Sequence, residues 1–323
     1  MKTLYLILFL GLFPLVSFSQ TYSDYIKKAG ELADLGKYDE SITEVNKGIA
    51  LDPKRAGGYA NRGYAYMCKG DYTSAISDFT KAIEIDPYYS DAYFYRGYSY
   101  DSKGDYTSAI SDYTKAISYY VGTTAYIYRG ISYAHKGDYT SAISDYKKAI
   151  VDFTKAIEAY PNISIYYNNR GFAYNQLEEY DKALSDFSKA IELKPKQWRS
   201  YWRRGTIYHQ NKHYDQALSD YDKAIDLFFS APTENEIAYF STINNAYYSR
   251  GTLYLELGKY NEALSDLNKA IEYYSKDADY YINRGLVYQK LNDNPNAIKD
   301  YEKAIEIKPE LEAELRPIIN GLK

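Results

Sequence analysis

His209 and His213 stand four residues apart, a spacing that sets two imidazoles on one helical face and would suit a metal ion. His213 falls in a turn, however, and no third ligand is near it, so no metal is expected. The lone thiol, Cys68, cannot form an intramolecular disulfide or a cysteine-based zinc site and reads as structural. Carboxylates are numerous, 43 against 39 lysines and arginines, but they read as solvated outer faces rather than a catalytic pair. The chain has no glycine-rich phosphate loop, no His-Glu-x-x-His and no nucleophile elbow. It reads as a non-enzyme that needs no cofactor.

What remains is non-covalent recognition. From Leu193 to Tyr214 there are six basic residues, no acidic one and both tryptophans, Trp198 and Trp202. Tryptophan and arginine are the types enriched in binding hot spots. Basic residues among aromatics also suit single-stranded nucleic acid, but a net charge of -4 argues against that partner. Tyrosine is in excess throughout, 43 of 323 residues. With 46% hydrophobic and 25% charged residues the chain should fold, and a mean hydropathy of -0.55 excludes a polytopic membrane protein.

The elements that would position these residues recur. Residues 71–83, 105–117 and 138–150 are nearly identical, and Arg-Gly recurs from Arg62-Gly63 to Arg284-Gly285 with glycine spacings of 34, 33, 41, 34, 46 and 34. The period is therefore 34, with one deletion and insertions of 7 and 12 residues. Each period reads as two helices around a turn such as Gly104-Asp105, and Pro53, Pro87, Pro161, Pro195 and Pro309 close their periods.

Numbered 1–34, the repeat at 56–89 has Tyr59 at 4, Gly63 at 8, Tyr66 at 11, Ala75 at 20, Phe79 at 24, Ala82 at 27 and Pro87 at 32. On these residues the sequence resembles the tetratricopeptide repeat (TPR) family. The resemblance implies an all-α, right-handed α-solenoid of about eight helix-turn-helix repeats. They fall at 22–55, 56–89, 90–122, 123–163, 164–197, 198–231, 244–277 and 278–311, an array over 20–311 followed by a C-terminal cap or tail at 312–323. Small residues at 8 and 20 let two helices approach closely while tyrosines wedge around the contact, and one pair alone buries too little to stand without neighbours.

The resemblance also implies that the first helices line a concave groove and that positions 2, 5, 6, 9, 12 and 13 meet the ligand. Here those positions make an aromatic-rich groove, and the candidate ligand-binding residues are Tyr95, Tyr98, Tyr128, Asn169, Phe172, Arg199, Trp202 and Arg203. One TPR subtype holds a peptide C-terminal carboxylate with a Lys and an Asn from one repeat, an Asn from the next, and a Lys and an Arg from a third. Asn169, Arg199 and Arg203 match part of that clamp, but Ile127 and Ile131 stand where Lys and Asn are required, so that specificity is not assigned. The expected function is an exported scaffold that binds a partner protein or extended peptide in the groove. The alternative is a structural or assembly component of an envelope complex, using its outer face or ends.

A second pattern is physical rather than inherited. Arg stands at position 7 from Arg62 to Arg284, and Asp at position 23 from Asp78 to Asp300; the first repeat keeps the signs with Lys28 and Glu44. Matched charges at fixed helical positions predict a ladder of ion pairs between first and second helices.

The two insertions differ in kind. The 7-residue one repeats Asp145–Ile150 as Asp152–Ile157 and predicts a two-turn extension of one helix. The 12-residue one, around 232–243, predicts a new helix start at Thr233 and Glu236. At the N-terminus Lys2, an apolar run over Leu4–Val16 and small residues Ser17 and Ser19 predict a secretory signal at 1–19, cleaved before Gln20. The mature chain is then expected to be periplasmic or extracellular, with no stable membrane insertion.

Overall fold

A computed structural model describes residues 20–119, 122–230 and 243–323. The expected signal at 1–19 and the expected helix start at Thr233 lie outside them. The described residues are helical throughout, in eight antiparallel pairs. These are α1 Tyr22–Asp34 with α2 Tyr38–Leu51, α3 Ala56–Cys68 with α4 Tyr72–Ile85, and α5 Ser90–Ser102 with α6 Tyr106–Ser118. Next come α7 Thr124–His135 with α8 Tyr139–Ala159, α9 Ser164–Gln176 with α10 Tyr180–Leu193, and α11 Trp198–Gln210 with α12 Tyr214–Ser230. The last are α13 Ile243–Glu256 with α14 Tyr260–Tyr273 and α15 Ala278–Lys290 with α16 Asn294–Ile307. A short 3-10 turn, Pro309–Leu311, leads into α17, Glu312–Leu322, which buries Leu315 and Ile319 against the last pair. No described helix is long and apolar enough to cross a membrane.

Each pair closes for local reasons. The turn between its helices needs one residue in the left-handed region, and Gly36, Gly70, Gly104, Gly137 and Gly258 supply it with φ of 72–82°. Three repeats lack glycine there and hold Glu178, Lys212 and Asn292 at φ of 59–60° instead. Aspartate then starts several second helices: Asp71, Asp105 and Asp138 each accept the backbone N–H three residues on, at 3.1 Å. Inside six of the pairs, glycine at position 8 lies against the ring at position 24; Gly251 meets Leu267 instead. A Cβ on Gly285 would stand 2.7 Å from the Tyr301 ring, so only glycine lets the helices meet at this distance.

The ladder is present in every repeat. Each of the seven arginines forks onto the aspartate of its own second helix, Nε to Oδ2 at 2.7–2.8 Å and Nη2 to Oδ1 at 2.7–2.9 Å. Tyrosines at positions 4 and 11 flank the guanidinium with ring centres at 5.5–6.0 Å, as Tyr201 and Tyr208 do around Arg204. The third nitrogen, Nη1, reaches back 2.6–3.2 Å to position 25 of the preceding repeat: Asn46, Thr80, Thr114, Thr154, Ser188, Asp222 or Asn268. One guanidinium thus ties three helices. In the first repeat Lys28 makes one bond of 3.1 Å to Glu44.

The 7-residue insertion extends α8 to 21 residues without a break. Its two copies divide the work of an ordinary second helix. Asp145 and Tyr146 of the first copy face α7, while Phe153 and Thr154 of the second face α9. Asp152 has no arginine and instead accepts from Lys148 at 3.0 Å. Because α9 docks two turns further along, Tyr139 is left 67% exposed, whereas the equivalent Tyr72 and Tyr106 are half-buried.

Candidate functional site

Successive first helices touch one another, α3 with α5, α5 with α7, α9 with α11, α11 with α13 and α13 with α15. First helices therefore form the inner, concave side of the curve, and second helices the outer side. The candidate binding residues fall into two groups along this inner side.

The first group is aromatic and spans α3, α5 and α7. Tyr95 meets Tyr64 and Phe94 edge-on at 5.3 Å and stacks on Phe79 at 5.9 Å. Tyr128 stands 5.4 Å from Phe94 and 5.8 Å from Tyr98, both edge-on. The structure thus brings Tyr95, Tyr98 and Tyr128 into one continuous ring surface, each half-buried with its other side to the groove. Phe94 belongs to the same surface.

The second group spans α9, α11 and α13 and is built from Trp, Arg and Asn. The Arg203 guanidinium lies 4.7 Å above the Phe172 ring, and its Nη1 donates to the Asn168 carbonyl at 3.4 Å. Arg199 lies 5.0 Å from the ring of Trp198, which is wholly buried. Asn169, next to Asn168, is half-buried. Trp202 serves the array as well as the groove. It packs against clusters that include Ile225, Ala224 and Leu253, and its Nε1 donates 3.1 Å to Ser249 Oγ on α13. The expected Arg199–Trp202–Arg203 group therefore shares one helix but not one role: Arg203 sits on Phe172, while Trp202 spaces α11 from α13. Asn168 was not singled out in the sequence, although Ser200 donates to its Oδ1 at 3.2 Å and it anchors Arg203.

The two histidines do not converge. His209 Nε2 lies 3.2 Å from Glu256 Oε1 on α13, while His213 turns to Tyr208 with ring centres 6.2 Å apart. His135 makes a similar link between repeats, with Nδ1 3.8 Å from Asp101 Oδ1. The bond to Asp101 outweighs burial and raises the His135 pKa above its ordinary value. Cys68 is half-buried beside the aromatic group, and burial pushes its thiol up to about 12, so it stays protonated at neutral pH.

Comparison with known proteins agrees with this geometry. Tetratricopeptide repeat models match residues 56–89, 164–197 and 278–311, residues 79–111, and residues 199–229; a TPR repeat model matches 31–70 and 251–292. No curated protein matches the chain. Among solved structures, the APC/C hetero-tetramer Cut9–Hcn1 is similar at a TM-score of 0.65 and 17% identity, over 92% of this chain and 55% of that one. The chain thus spans little more than half the length of that relative. A tetratricopeptide repeat protein from Parabacteroides merdae is similar at a TM-score of 0.52 and 22% identity, over 83% and 96% of the two chains. The human IFIT1 dimer with PPP-AAAA is similar at 0.57 and 15%, over 89% and 73%. At these identities the likeness is one of fold. Repeat models along most of the array, helix pairs at the same period and a solenoid like those neighbours agree, and the chain belongs to the tetratricopeptide repeat family.

Proposed function

We propose that this chain is an exported binding scaffold whose concave side captures a partner protein or an extended peptide. Proteins of the tetratricopeptide repeat family generally mediate protein–protein interaction or scaffolding. One observation carries the finer reading. The inner side keeps rings, guanidinium groups and amides partly open to solvent in residue combinations that change from repeat to repeat, while the residues joining the helices hardly change. Aromatic and arginine side chains held rigidly at a concave surface are the material of binding hot spots. The test is a pull-down with the mature chain. Tyr98→Ala and Arg203→Ala should lose the partner, while a change on the outer side such as Lys189→Ala should retain it.

Export rests on the Lys2, Leu4–Val16 and Ser17–Ser19 layout. Intact-mass measurement of the exported protein should show Gln20 as its first residue; a full-length, membrane-retained product would overturn this part of the reading.

A second reading, an assembly component that uses its outer side, is favoured by one feature. The displaced docking of α9 leaves Tyr139, Ile143 and Val151 exposed along one stripe of α8. If the partner bound there, Tyr139→Glu rather than Tyr98→Ala would abolish capture.

A further inference from the structure

The array winds far enough for distant repeats to face each other. The loop after α14 comes up to the turn between α3 and α4, and between them lies a cleft of about 550 Å³. One wall is the aromatic group, Phe94, Tyr95, Tyr98 and Tyr128, and the opposite lip carries Tyr274 and Lys276. Burial, followed by the nearness of Tyr72 at the start of α4, raises the Tyr274 phenol, as expected where the two lips approach. A half-open cleft of this size is in the volume range of ligand-binding clefts.

The charges around the cleft are unequal. Asp71 accepts from the backbone and hydroxyl of Ser74, and Glu272 is paired with Lys269 at 2.8 Å. Lys69 is likewise paired, with Asp39. Lys103 donates only to the neutral Thr73 hydroxyl, at 2.8 Å, and Lys276 stands exposed on the other lip; among the described residues no ion pair engages either amine. Two uncommitted cations thus face each other across a wall of rings.

We infer that this cleft binds an acidic peptide segment in which a bulky aromatic side chain adjoins carboxylates, the ring entering against Tyr98 and Tyr128 and the carboxylates bridging Lys103 and Lys276. The inference rests on the groove-capture reading and names the ligand of one part of that groove. Rings accept the apolar side chain, and amines on two lips select a negative neighbour over a positive one. A single-stranded nucleic acid is the other flat, anionic ligand, but it needs several phosphates neutralised along its track. Here only two amines stand at the lips, too few for such a track and enough for a short pair of carboxylates.

The test is calorimetric titration of the mature chain with a short peptide alternating glutamate and phenylalanine. Comparison peptides carry lysine for glutamate or serine for phenylalanine, and a poly(A) oligonucleotide serves as the nucleic-acid arm. The acidic aromatic peptide should bind at least about tenfold more tightly than each of the other three, and added salt should weaken it. The double variant Lys103→Glu with Lys276→Glu, at two exposed positions, should lower its affinity at least about tenfold, and Lys103→Arg with Lys276→Arg should keep it. Circular dichroism confirms that both variants are folded. Absence of binding, equal binding of the lysine peptide, tighter binding of the oligonucleotide, or an unchanged affinity in the glutamate variant overturns the inference. A pulled-down partner that depends on Arg203 but not on Lys103 and Lys276 also overturns it while groove capture stands. A partner indifferent to Tyr98, Arg203 and both lysines removes groove capture itself.

Discussion

Two stripes run the length of the array, and they are built on opposite rules. Between first and second helices the arginine at position 7 meets the aspartate at position 23 in the same two-bond geometry seven times, with side-chain exposures of only 16–24% and 4–8%. Along the concave side no two repeats present the same residues: rings fill α5 and α7, while Asn, Arg and Trp fill α9 and α11. The uniform stripe fixes the relative placement of three helices. It thereby frees the other stripe to vary without a change of fold. The first repeat sharpens the contrast, because Lys28 is 52% exposed and makes a single bond to Glu44.

The contrast is broken most severely by stranding a charge in the seam. Arg204→Ala should destabilise the array by ~3–5 kcal/mol, because Asp220 is left buried without its fork, whereas Lys28→Ala should cost no more than ~1 kcal/mol. Urea unfolding followed by circular dichroism measures both. Replacing both partners, Arg204→Met with Asp220→Leu, should recover most of the loss. Equal costs for Arg204→Ala and Lys28→Ala would dissolve the distinction between seam and end.

Trp202→Ala asks whether a residue can belong to both stripes. Since Trp202 fills the space between α11 and α13 and bonds Ser249, its removal should cost ~3 kcal/mol of stability in the same assay. Arg203→Ala, which loses the Phe172 and Asn168 contacts, should cost about 1 kcal/mol of stability and remove about 2 kcal/mol of partner affinity. Next in size is Gly285→Ala, which forces a methyl against the Tyr301 ring and should cost ~1–3 kcal/mol.

A gain is expected from Lys212→Gly. Lys212 holds φ of 60° where five other repeats use glycine, so the change should stabilise by about 1 kcal/mol, read as a higher midpoint in urea. The smallest effect is a pH dependence. The His135 pKa is raised by Asp101, so its contribution is complete below the unfolded value near 6.5 and disappears as pH rises through the raised folded value. The group is about half exposed, which limits this to a few tenths of a kcal/mol. His135→Gln should flatten the stability profile across that window.

The seam was legible because its residues recur at one period, so Arg62 and Asp78 predict all the others. The acceptors at position 25 follow the same period: Asn46, Thr80, Thr114, Thr154, Ser188, Asp222 and Asn268 are all short and polar, at the place where a preceding helix meets the next. They also explain the duplication in α8, where Thr154 of the second copy offers the acceptor and Lys147 of the first does not. The role of Trp202 was not legible, because Ser249 is its partner only after the 12-residue insertion sets where α13 begins. The cleft was least legible of all. It joins Tyr98 to Tyr274, and their meeting depends on small rotations summed over five repeats, which no local pattern records.

The backward reach of each guanidinium gives the array a direction. A repeat is tied to its predecessor by its own Nη1, and to its successor by an acceptor that waits at position 25. In chain order the acceptor at position 25 precedes the arginine that uses it, and that arginine precedes its own aspartate. Read from the N-terminus, each arginine therefore has its backward partner before its forward one; read from the C-terminus the order is reversed.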